Sequence, residues 1–423
     1  MNRRNSMVAL VFLIFFVISL ITNILGPLVP DIIDSFKLSL AMAGFLPSSF
    51  FIAYGVMSIP AGLLIERYDE KPVLVLSFIL AFLGSVLFAT RPVYAVALFS
   101  LFTIGVGMAM LQVAINPLLR VAGGEENFAF FGVLAQLIFG SASFLSPYIY
   151  SYLVEHLRAP AGPQNLLTSA LGRVVPAGMA WVSLYWIFAG VTLVMVLLLT
   201  VVRIPKVELT EDERAGSAEA HRQLLKKPSV WLFFLAIFCY VGTEQGVANW
   251  ISKFLQDYHH LDPNKEGASA VARFWGLLTV GCGVGLVLLK LFDSRRILIV
   301  FGSLAAVTLA AALFGPTPVS LAAFPLVGFW ASVMWSIIFS LALNSVDRHH
   351  GSFSGILCTA IIGGAILPPL IGKLGDAFGL RVGMTLLFGT LGYIISIGFW
   401  AKPLVANATL GSPRSPDLAP GPP

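Results

Sequence analysis

The sequence predicts an all-α membrane protein with twelve transmembrane helices in two six-helix bundles. Hydrophobic residues make up 57% of the chain and charged residues only 11%, whereas charged residues are about 25% of an average soluble domain. A helix needs about 20 apolar residues to cross a bilayer, and a window of that length finds twelve apolar segments. They lie at about 8–30, 41–64, 72–90, 94–119, 128–152, 179–202, 230–256, 269–291, 297–315, 319–345, 353–378 and 381–400.

One long hydrophilic stretch divides these segments six to six. It begins at Arg203 and carries both acidic and basic residues as far as Lys227. Two bundles joined in this way, each built from inverted three-helix repeats, are typical of secondary transporters. We therefore expect an amino-terminal bundle at 1–202, a cytoplasmic linker at 203–229 and a carboxy-terminal bundle at 230–402. Residues 403–423 are rich in Pro, Gly and Ser, which predicts a disordered tail.

The positions of Lys and Arg predict the orientation. If the amino terminus is cytoplasmic, most of the 26 basic residues fall on the cytoplasmic side, as the positive-inside rule requires. Both termini are then cytoplasmic, and we expect a multi-pass protein of the bacterial cytoplasmic (inner) membrane. The net charge of +5 follows from this asymmetry. No compact basic patch with interleaved aromatic residues is present, so we expect no nucleic-acid partner.

The sequence contains no pattern that indicates an enzyme. Cys239, Cys282 and Cys358 all lie within predicted spans and have no CxxC neighbour, so we interpret them as buried thiols. Gly281-Cys-Gly-Val-Gly285 lies within a span without a preceding strand, which argues against a dinucleotide loop. HExxH, Walker and nucleophile-elbow motifs are absent from the sequence. We expect no cofactor or metal other than a coupling Na⁺ or H⁺, and a monomer.

Amide side chains in the amino half are candidate binding groups. Asn23 lies in the first predicted helix, Gln112 and Asn116 share one face of the fourth, and Gln136 lies in the fifth. An amide without a hydrogen-bond partner at hydrocarbon depth costs about 4 to 8 kcal/mol in the alkane limit. The partner is therefore another helix, water or a hydroxylated substrate. Hydrogen bonding between helices, worth about 0.6 kcal/mol per contact in membranes, is the alternative to a cavity lining.

The seventh predicted helix carries a second set of candidates. Glu244 is near its middle, where a charge costs roughly 2.5 to 3.5 kcal/mol, so a functional role is expected by default. Gln245 and Asn249 lie beside it, and Trp250 follows. Amide and carboxylate hydrogen bonds together with an aromatic ring are how proteins bind a sugar. The alternatives are a structural hydrogen bond for Glu244 and an interfacial anchor for Trp250.

Further candidates lie in the tenth helix and at the end of the first. Trp335 shares a face with Phe339 in helix ten, and Asn344 lies on another face. We include Trp335 and Asn344 as candidates, although helix packing explains them slightly better. Asp31 and Asp34 fall just beyond the first predicted segment, where we expect solvated caps and no ion site.

Six short motifs stand out along the chain: Ile59-Pro60-Ala61-Gly62, Gln112-Val-Ala-Ile-Asn116-Pro117, Leu134-Ala135-Gln136, Phe238-Cys239-Tyr240-Val241-Gly242, Ile338-Phe339-Ser340-Leu341 and Ile361-Ile362-Gly363-Gly364. They resemble those of the fucose–proton symporter family within the major facilitator superfamily, whose members carry hexoses. The motifs are spread over nearly the whole chain, so the resemblance implies the twelve-helix major facilitator fold. It also implies a hexose substrate, although one fold of this kind serves many cargoes.

The sequence departs from this family at three positions. Proton-coupled members carry an Asp in helix one and a Glu in helix four, where this chain has Asn23 and Gln112. The family often has an Arg in helix eight where Cys282 stands here. Amides do not titrate, so the resemblance argues against a proton relay through the first two positions. Glu244 is then the candidate for a coupling-ion role, with sodium, a proton or uncoupled transport left open.

We therefore predict a secondary transporter that moves a neutral hexose, such as fucose, glucose or galactose, by alternating access. Arg91, Arg120 and Arg273 fall near the ends of predicted spans. Phosphorylated or anionic cargo would require such groups deep in the protein. A drug or amphiphile exporter is the first alternative, because 33 Phe residues suit a large apolar cavity. A ligand-sensing membrane receptor is the second.

Overall fold

Twelve helical stretches cross the membrane, as predicted. The computed structural model describes residues 3–123, 128–158, 165–202, 204, 218–346 and 350–402. Within these ranges twelve stretches are long and apolar enough to span a bilayer, so the protein is a multi-pass integral membrane protein. The first six spans and their connections comprise α1 (Arg3–Thr22), α2 (Leu25–Phe36), α3 (Leu40–Tyr68), α4 (Glu70–Thr90), α5 (Tyr94–Gly123), α6 (Phe128–Arg158), α7 (Leu166–Val174) and α8 (Ser183–Val201).

The last six spans are again built from whole and divided helices. A π-helical turn, Pro263–Gly267, leads into the eighth span, and a 3₁₀ turn, Ala360–Ile362, lies within the eleventh. The helices are α9 (Ala218–Leu225), α10 (Pro228–Ala248), α11 (Ile251–His259), α12 (Ala268–Leu291), α13 (Ser294–Phe314), α14 (Thr317–Ala331), α15 (Met334–Leu343), α16 (His350–Thr359), α17 (Gly363–Phe378) and α18 (Leu380–Trp400).

Successive spans run in opposite directions, which defines two faces of the molecule. We call the face where α8 ends and α10 begins the linker side. The turns between α3 and α4 and between α12 and α13 lie there too. The opposite face, with the turns between α2 and α3 and between α17 and α18, is called the far side.

Two hydrophobic cores correspond to the two halves of the chain. One core comprises residues from Leu10 to Leu199 with Ala365 added, and the other runs from Leu224 to Ala401 with three residues of the amino half. Within the predicted linker, α9 packs against α10 and α16 and buries Leu224. The predicted boundaries of the linker stay predictions. Residues 205–217 and the predicted disordered tail, 403–423, lie outside the described residues.

The two halves contact each other closely towards the far side. Helix α17 packs along α3, α6 packs along α12, and α2 packs against α11 and α12. At Gly26 the carbonyl oxygen of Ala248 lies where a side chain would begin, so only glycine allows α2 and α10 to approach this closely. By contrast, α1 packs mainly against α5 and α6 of its own half, and α10 against α17, α18 and α15. The far side is therefore closed in this structure.

Candidate functional site

The first helix of each half is divided, within the first span in the amino half and at the end of the seventh span, Pro228–Ala248, in the carboxy half. Helix α1 gives way to α2 at Asn23–Ile24, and α10 gives way to α11 at Asn249–Trp250. An interruption leaves backbone groups without helical partners. Secondary transporters commonly place their binding sites where helices in corresponding positions of the two halves are broken. The two breaks therefore mark the place to look for substrate-binding side chains.

The first break has a local cause in the sequence, and the second has a distinctive local geometry. In the first span Pro27 has no backbone N–H to donate to the Asn23 carbonyl, so a continuous helix would lose that hydrogen bond. In the seventh span the Asn249 side chain donates to the Gln245 carbonyl oxygen at 2.8 Å and to the Gln245 side-chain oxygen at 3.2 Å. The same carbonyl still accepts the helical bond from the Asn249 backbone N–H at 3.0 Å, and the helix tightens one residue later, where the Trp250 N–H donates to the Val247 carbonyl at 3.0 Å. Both asparagines are buried.

The amide of Asn23 bonds to its own half of the molecule. Its Nδ2 donates to Ser143 Oγ on α6 at 2.8 Å, and Ser143 Oγ lies 2.6 Å from Ser19 Oγ on α1. Ser19 and Ser143 are fully buried, and Asn23 is 6% exposed. The Asn23 amide thus ties the first span to the fifth. This is the interhelical bonding that sequence analysis gave as the alternative to a cavity lining, and a direct contact between Asn23 and substrate stays a prediction.

Gln112 and Gln136 are less enclosed than Asn23. Gln112 on α5 is half-buried and Gln136 on α6 is exposed, and neither has a hydrogen bond to another described residue. Gln136 lies one helical turn from Gly140, against which Thr279 of α12 packs. Residues four apart share a helix face, so Gln136 lies on the face of α6 that is directed at the carboxy half, towards the linker side. The side chain of Asn116 lies outside the described residues.

Glu244 is held in a chain of hydrogen bonds along α10. Tyr240 Oη donates to Glu244 Oε2 at 2.5 Å, and Gln245 Nε2 donates to Glu244 Oε1 at 3.2 Å. Asn249 in turn donates to Gln245. Gln245 is 4% exposed, whereas Glu244 is half-buried. The carboxylate is therefore the member of this chain that a small molecule in the membrane interior can reach.

Aromatic rings lie beside this carboxylate. The Trp335 ring of α15 lies 6.0 Å from the Tyr240 ring, and Trp335 stacks on Phe339 at 5.7 Å with an interplanar angle of 20°. Trp335 and Phe339 are half-buried. The structure thus brings Glu244 and Trp335, predicted from separate helices, into one group with Tyr240. We call Tyr240, Glu244 and Trp335 the carboxylate–aromatic cluster.

Trp250 and Asn344 lie apart from the cluster. Trp250 is 1% exposed within the carboxy-half core, and its indole N–H has no partner among the described residues. Its ring faces are therefore covered in this conformation. Asn344 follows the last residue of α15 and donates to Ser340 Oγ at 3.4 Å. Nine residues of helix separate it from Trp335, which is about 13 Å. Their roles in binding stay predictions.

The expectation that Asp31 is a solvated cap was wrong. Helix α2 continues to Phe36, so Asp31 lies within the first span and is 6% exposed. Its carboxylate accepts hydrogen bonds from Tyr150 and Arg158 of α6. The unusual length of the apolar stretch was a signal, since the span covers 30 residues where about 20 suffice. Asp34, three residues on, is exposed as expected.

Sequence reasoning also missed two polar partners, Tyr240 and Ser143. Tyr240 stood in a family-like motif but was not chosen as a site residue, and its spacing of four from Glu244 was the available signal, because such residues share a helix face. Ser143 lies seven residues after Gln136 and so on the same face of the helix. A serine in a membrane helix usually bonds the carbonyl four residues earlier, so nothing in the sequence singled it out.

Two six-helix halves, interrupted first spans and polar side chains near the breaks define a membrane transporter of the alternating-access type. The chain belongs to the Major Facilitator Superfamily, whose sequence profile matches residues 11–361. The predicted major facilitator fold and the family resemblance are thereby confirmed. The protein is a transporter and not an enzyme.

Relatives with assigned names are similar over most of the chain. A glucose/galactose transporter of Brucella abortus is 30% identical over 395 residues, which cover 91% of this chain and 92% of the relative. The L-fucose-proton symporter of Escherichia coli is 25% identical over 88% of this chain and 87% of its own length. A putative glucose/galactose transporter of Helicobacter pylori is 28% identical over 86% of this chain and 87% of its own.

Solved structures share the fold. The Escherichia coli fucose:proton symporter in an outward conformation superposes with a TM-score of 0.66 at 22% identity, covering 95% of this chain and all of the other. A bacterial homologue of the lysosomal transporter Spinster, inward-facing and occupied, superposes with a TM-score of 0.78 at 17% identity, covering 95% of this chain and 97% of the other.

Proposed function

We propose that the protein is a secondary transporter of a neutral hexose. The observation that carries the proposal is the carboxylate–aromatic cluster, in which Glu244 and Trp335 are half-buried beside an interrupted helix. A carboxylate accepts hydrogen bonds from sugar hydroxyl groups, and an aromatic ring packs on the apolar face of a sugar ring. Similar proteins named as glucose/galactose transporters and an L-fucose-proton symporter support the same substrate class.

The proposed site lies between the halves. Glu244 and Trp335 bind the sugar from the carboxy half, and Gln112 and Gln136 complete the site from the amino half. A hexose bound there lies between the two halves and contacts both of them. Because alternating access requires the halves to rock against each other, binding of the sugar is linked to that movement. Arg91 ends α4 and Arg273 lies exposed near the start of α12. Their positions near span ends support a neutral over an anionic substrate.

Coupling is proposed to involve Glu244. It can carry a proton while bonded to Tyr240, or supply an oxygen ligand to sodium. Among the described residues no group of three or more His, Cys, Asp or Glu is placed to hold a metal ion, so a sodium site would need amide oxygens such as that of Gln245. The relative named as a proton symporter supports the proton over sodium.

The orientation and location are part of this proposal. Lys71, Lys226 and Arg295 lie at linker-side helix ends, which supports a cytoplasmic linker side by the positive-inside rule. The named relatives are bacterial, which supports the cytoplasmic (inner) membrane of a bacterium. The far side then faces outward, and we propose that the protein works as a monomer. The drug-exporter and receptor alternatives are not favoured by the names of the relatives.

Counterflow in proteoliposomes tests the substrate and the coupling together. Vesicles loaded with unlabelled glucose, galactose or fucose are diluted into the labelled sugar, with and without a proton or sodium gradient. We expect transient accumulation of at least one hexose without a gradient, and sustained accumulation with the gradient of the coupling ion. No counterflow with any hexose in vesicles that contain folded protein would overturn the proposal.

A further inference from the structure

A buried polar cluster lies on the far side, away from the proposed sugar site. Asp31 of α2 is 6% exposed and Tyr150 of α6 is fully buried. The Asp31 carboxylate accepts a hydrogen bond from Tyr150 Oη through one oxygen, and the other oxygen lies 2.7 Å from Arg158 Nη2. These three residues all belong to the amino half. The Arg158 side chain, 49% exposed, extends from the cluster to the surface.

A fourth member comes from the carboxy half. Asn264 lies in the turn before α12 and is 8% exposed. Both the nitrogen and the oxygen of the Asn264 amide have hydrogen-bond partners when the nitrogen faces Asp31 and Tyr150 and the oxygen faces Arg158. Its Nδ2 then lies 3.0 Å from Asp31 Oδ2 and 3.1 Å from Tyr150 Oη, and its Oδ1 accepts from Arg158 Nη1 at 2.8 Å. One neutral side chain thus makes three hydrogen bonds across the boundary between the halves.

The distribution of charge in this cluster suits a contact that must open. Asp31 and Arg158 carry opposite charges and stay together in the amino half when the halves separate. Asn264, the member that leaves, is neutral. Asp262 of the carboxy half also interacts electrostatically with Arg158, but Asp262 is exposed, so water solvates its charge when the halves separate. Water replaces the three hydrogen bonds of Asn264, which makes the contact reversible, whereas a charge pair divided between the halves would be costly to break.

We propose that Asp31, Tyr150, Arg158 and Asn264 form a latch that holds the far side closed and sets how often it opens. This inference rests on the proposed transport function, because a site reached from the far side is available only while that side is open. The apparent dissociation constant equals the intrinsic constant divided by the open fraction. The latch residues therefore set the apparent affinity for substrate arriving from the far side without contacting it.

Two other polar contacts between described residues of opposite halves serve as comparisons. Lys265 lies 3.7 Å from Glu155, but their side chains are 60% and 58% exposed, and such surface pairs contribute little. Asp376 of α17 accepts hydrogen bonds from the backbone N–H groups of Leu40 and Ala41 at the start of α3, at 2.7 and 2.9 Å. Asp376 is exposed, so water can take its place on those N–H groups.

The test measures the distance between the far-side ends of the two halves in purified protein without sugar. Spin labels are attached at Arg91 and Phe314, which are exposed at far-side helix ends of opposite halves, in a cysteine-free background whose thermal unfolding matches that of the unsubstituted protein. We expect N264A to increase the population with the longer distance about tenfold. D31N is expected to act in the same direction, and K265A and D34N are the controls that leave the distances unchanged.

Uptake from the far side gives a second readout. While the open state is a minority, a tenfold larger open fraction lowers the apparent KM by about the same factor. An unchanged distance distribution in folded N264A would overturn the latch, as would an equal shift in K265A, or a shift in D376A without one in N264A. Because the distances need no sugar, failure of the hexose proposal leaves this test intact.

Discussion

The breaks in the first and seventh spans have the same position in their halves but different surroundings. At the first break the Asn23 amide reaches across to Ser143 of α6, and both are buried. At the seventh break the Asn249 amide bonds within its own helix, one turn beyond a half-buried carboxylate, Glu244. The two halves therefore share the position of the break in the backbone, but the polar side chains at the breaks have different hydrogen-bond partners.

This difference separates two uses of polar side chains in a membrane. In the amino half the polar groups at the break bond one another, which holds two spans at a fixed spacing. In the carboxy half the chain of hydrogen bonds ends at Glu244, where it can continue to a substrate or an ion. The comparison predicts that substitutions at the seventh break change transport, while substitutions at the first break change stability.

Glu244→Gln is expected to have the largest effect. The amide keeps the size of the side chain but cannot bind and release a proton, so gradient-driven accumulation should fall at least tenfold while counterflow continues. The measurement is uptake of labelled hexose in proteoliposomes with and without an imposed gradient. Glu155→Gln, an exposed far-side acid, is the matched control. Unchanged accumulation in the Glu244 variant would show that this carboxylate is not the ion-linked group.

Trp335→Ala is expected to raise the KM for hexose about tenfold, because an aromatic contact contributes about 0.5 to 1.5 kcal/mol beyond its buried area. Trp335→Phe keeps a ring at that position and should retain most of the affinity. Initial rates over a range of sugar concentrations separate KM from kcat. If both variants lower kcat equally and leave KM unchanged, the ring supports the helices and does not contact the sugar.

The fold could be predicted from the sequence because span formation depends on local composition. Twenty apolar residues in a row form a membrane helix whatever their partners are, and the Arg203–Lys227 stretch divided the spans correctly. Pro27 also contained the information for the first break. The short motifs that resemble those of the fucose–proton symporter family indicated the superfamily, which the match over residues 11–361 confirms.

The candidate site could be predicted only in part. Glu244 stood out because a carboxylate in a span is rare, but its partner Tyr240 is one of many aromatic residues in such helices. Asp31 was misjudged because the sequence does not show which helix ends pack against the other half and which meet water. The bond from Asn23 to Ser143 joins residues 120 positions apart, and such pairing depends on the assembled bundle.

Asn23→Ala is expected to act on stability more than on transport. It leaves the buried Ser143 hydroxyl with one partner fewer. We expect a loss of stability of about 0.6 to 1 kcal/mol, the range for a hydrogen bond between membrane helices and for a typical hydrogen bond in a protein. Thermal unfolding in detergent measures this loss of stability. The double variant Asn23→Ala, Ser143→Ala should lose no more stability than the sum of the losses in the two single variants.

Gln112→Ala, whose amide has no partner among the described residues, should reduce hexose uptake and leave the unfolding temperature unchanged.

Two results would contradict these expectations for Asn23 and Gln112. If Asn23→Ala abolishes uptake at an unchanged unfolding temperature, the amide contacts the substrate directly and the contrast between the two breaks fails. If Gln112→Ala lowers the unfolding temperature, that amide is structural as well. Protein abundance in the membrane is compared in both cases, so that reduced uptake is not confused with reduced expression.

The smallest expected effect concerns the linker-side turn before α13, in the half that carries the carboxylate–aromatic cluster. Asp293 caps α13 and accepts hydrogen bonds from the Arg295 backbone N–H at 2.8 Å and the Arg295 Nε at 3.2 Å. The hydrogen bond from the Arg295 side chain is the main reason that the pKa of Asp293 lies below its ordinary value. A lowered pKa in the folded state stabilises the protein fully above the unfolded-state pKa, about 3.9, and the stabilisation is lost as the pH falls through the folded-state value.

Asp293→Asn removes this contribution, so it should lower stability at pH 7 by at most about 1 kcal/mol, given the partial exposure of the pair. The difference from the unsubstituted protein should shrink as the pH is lowered from 5 towards about 3, where the native carboxyl is also becoming protonated. Thermal unfolding in detergent over this pH range measures it, with D34N as the exposed control. A difference that stays constant across the range would show that Asp293 acts through its cap geometry and not through its charge.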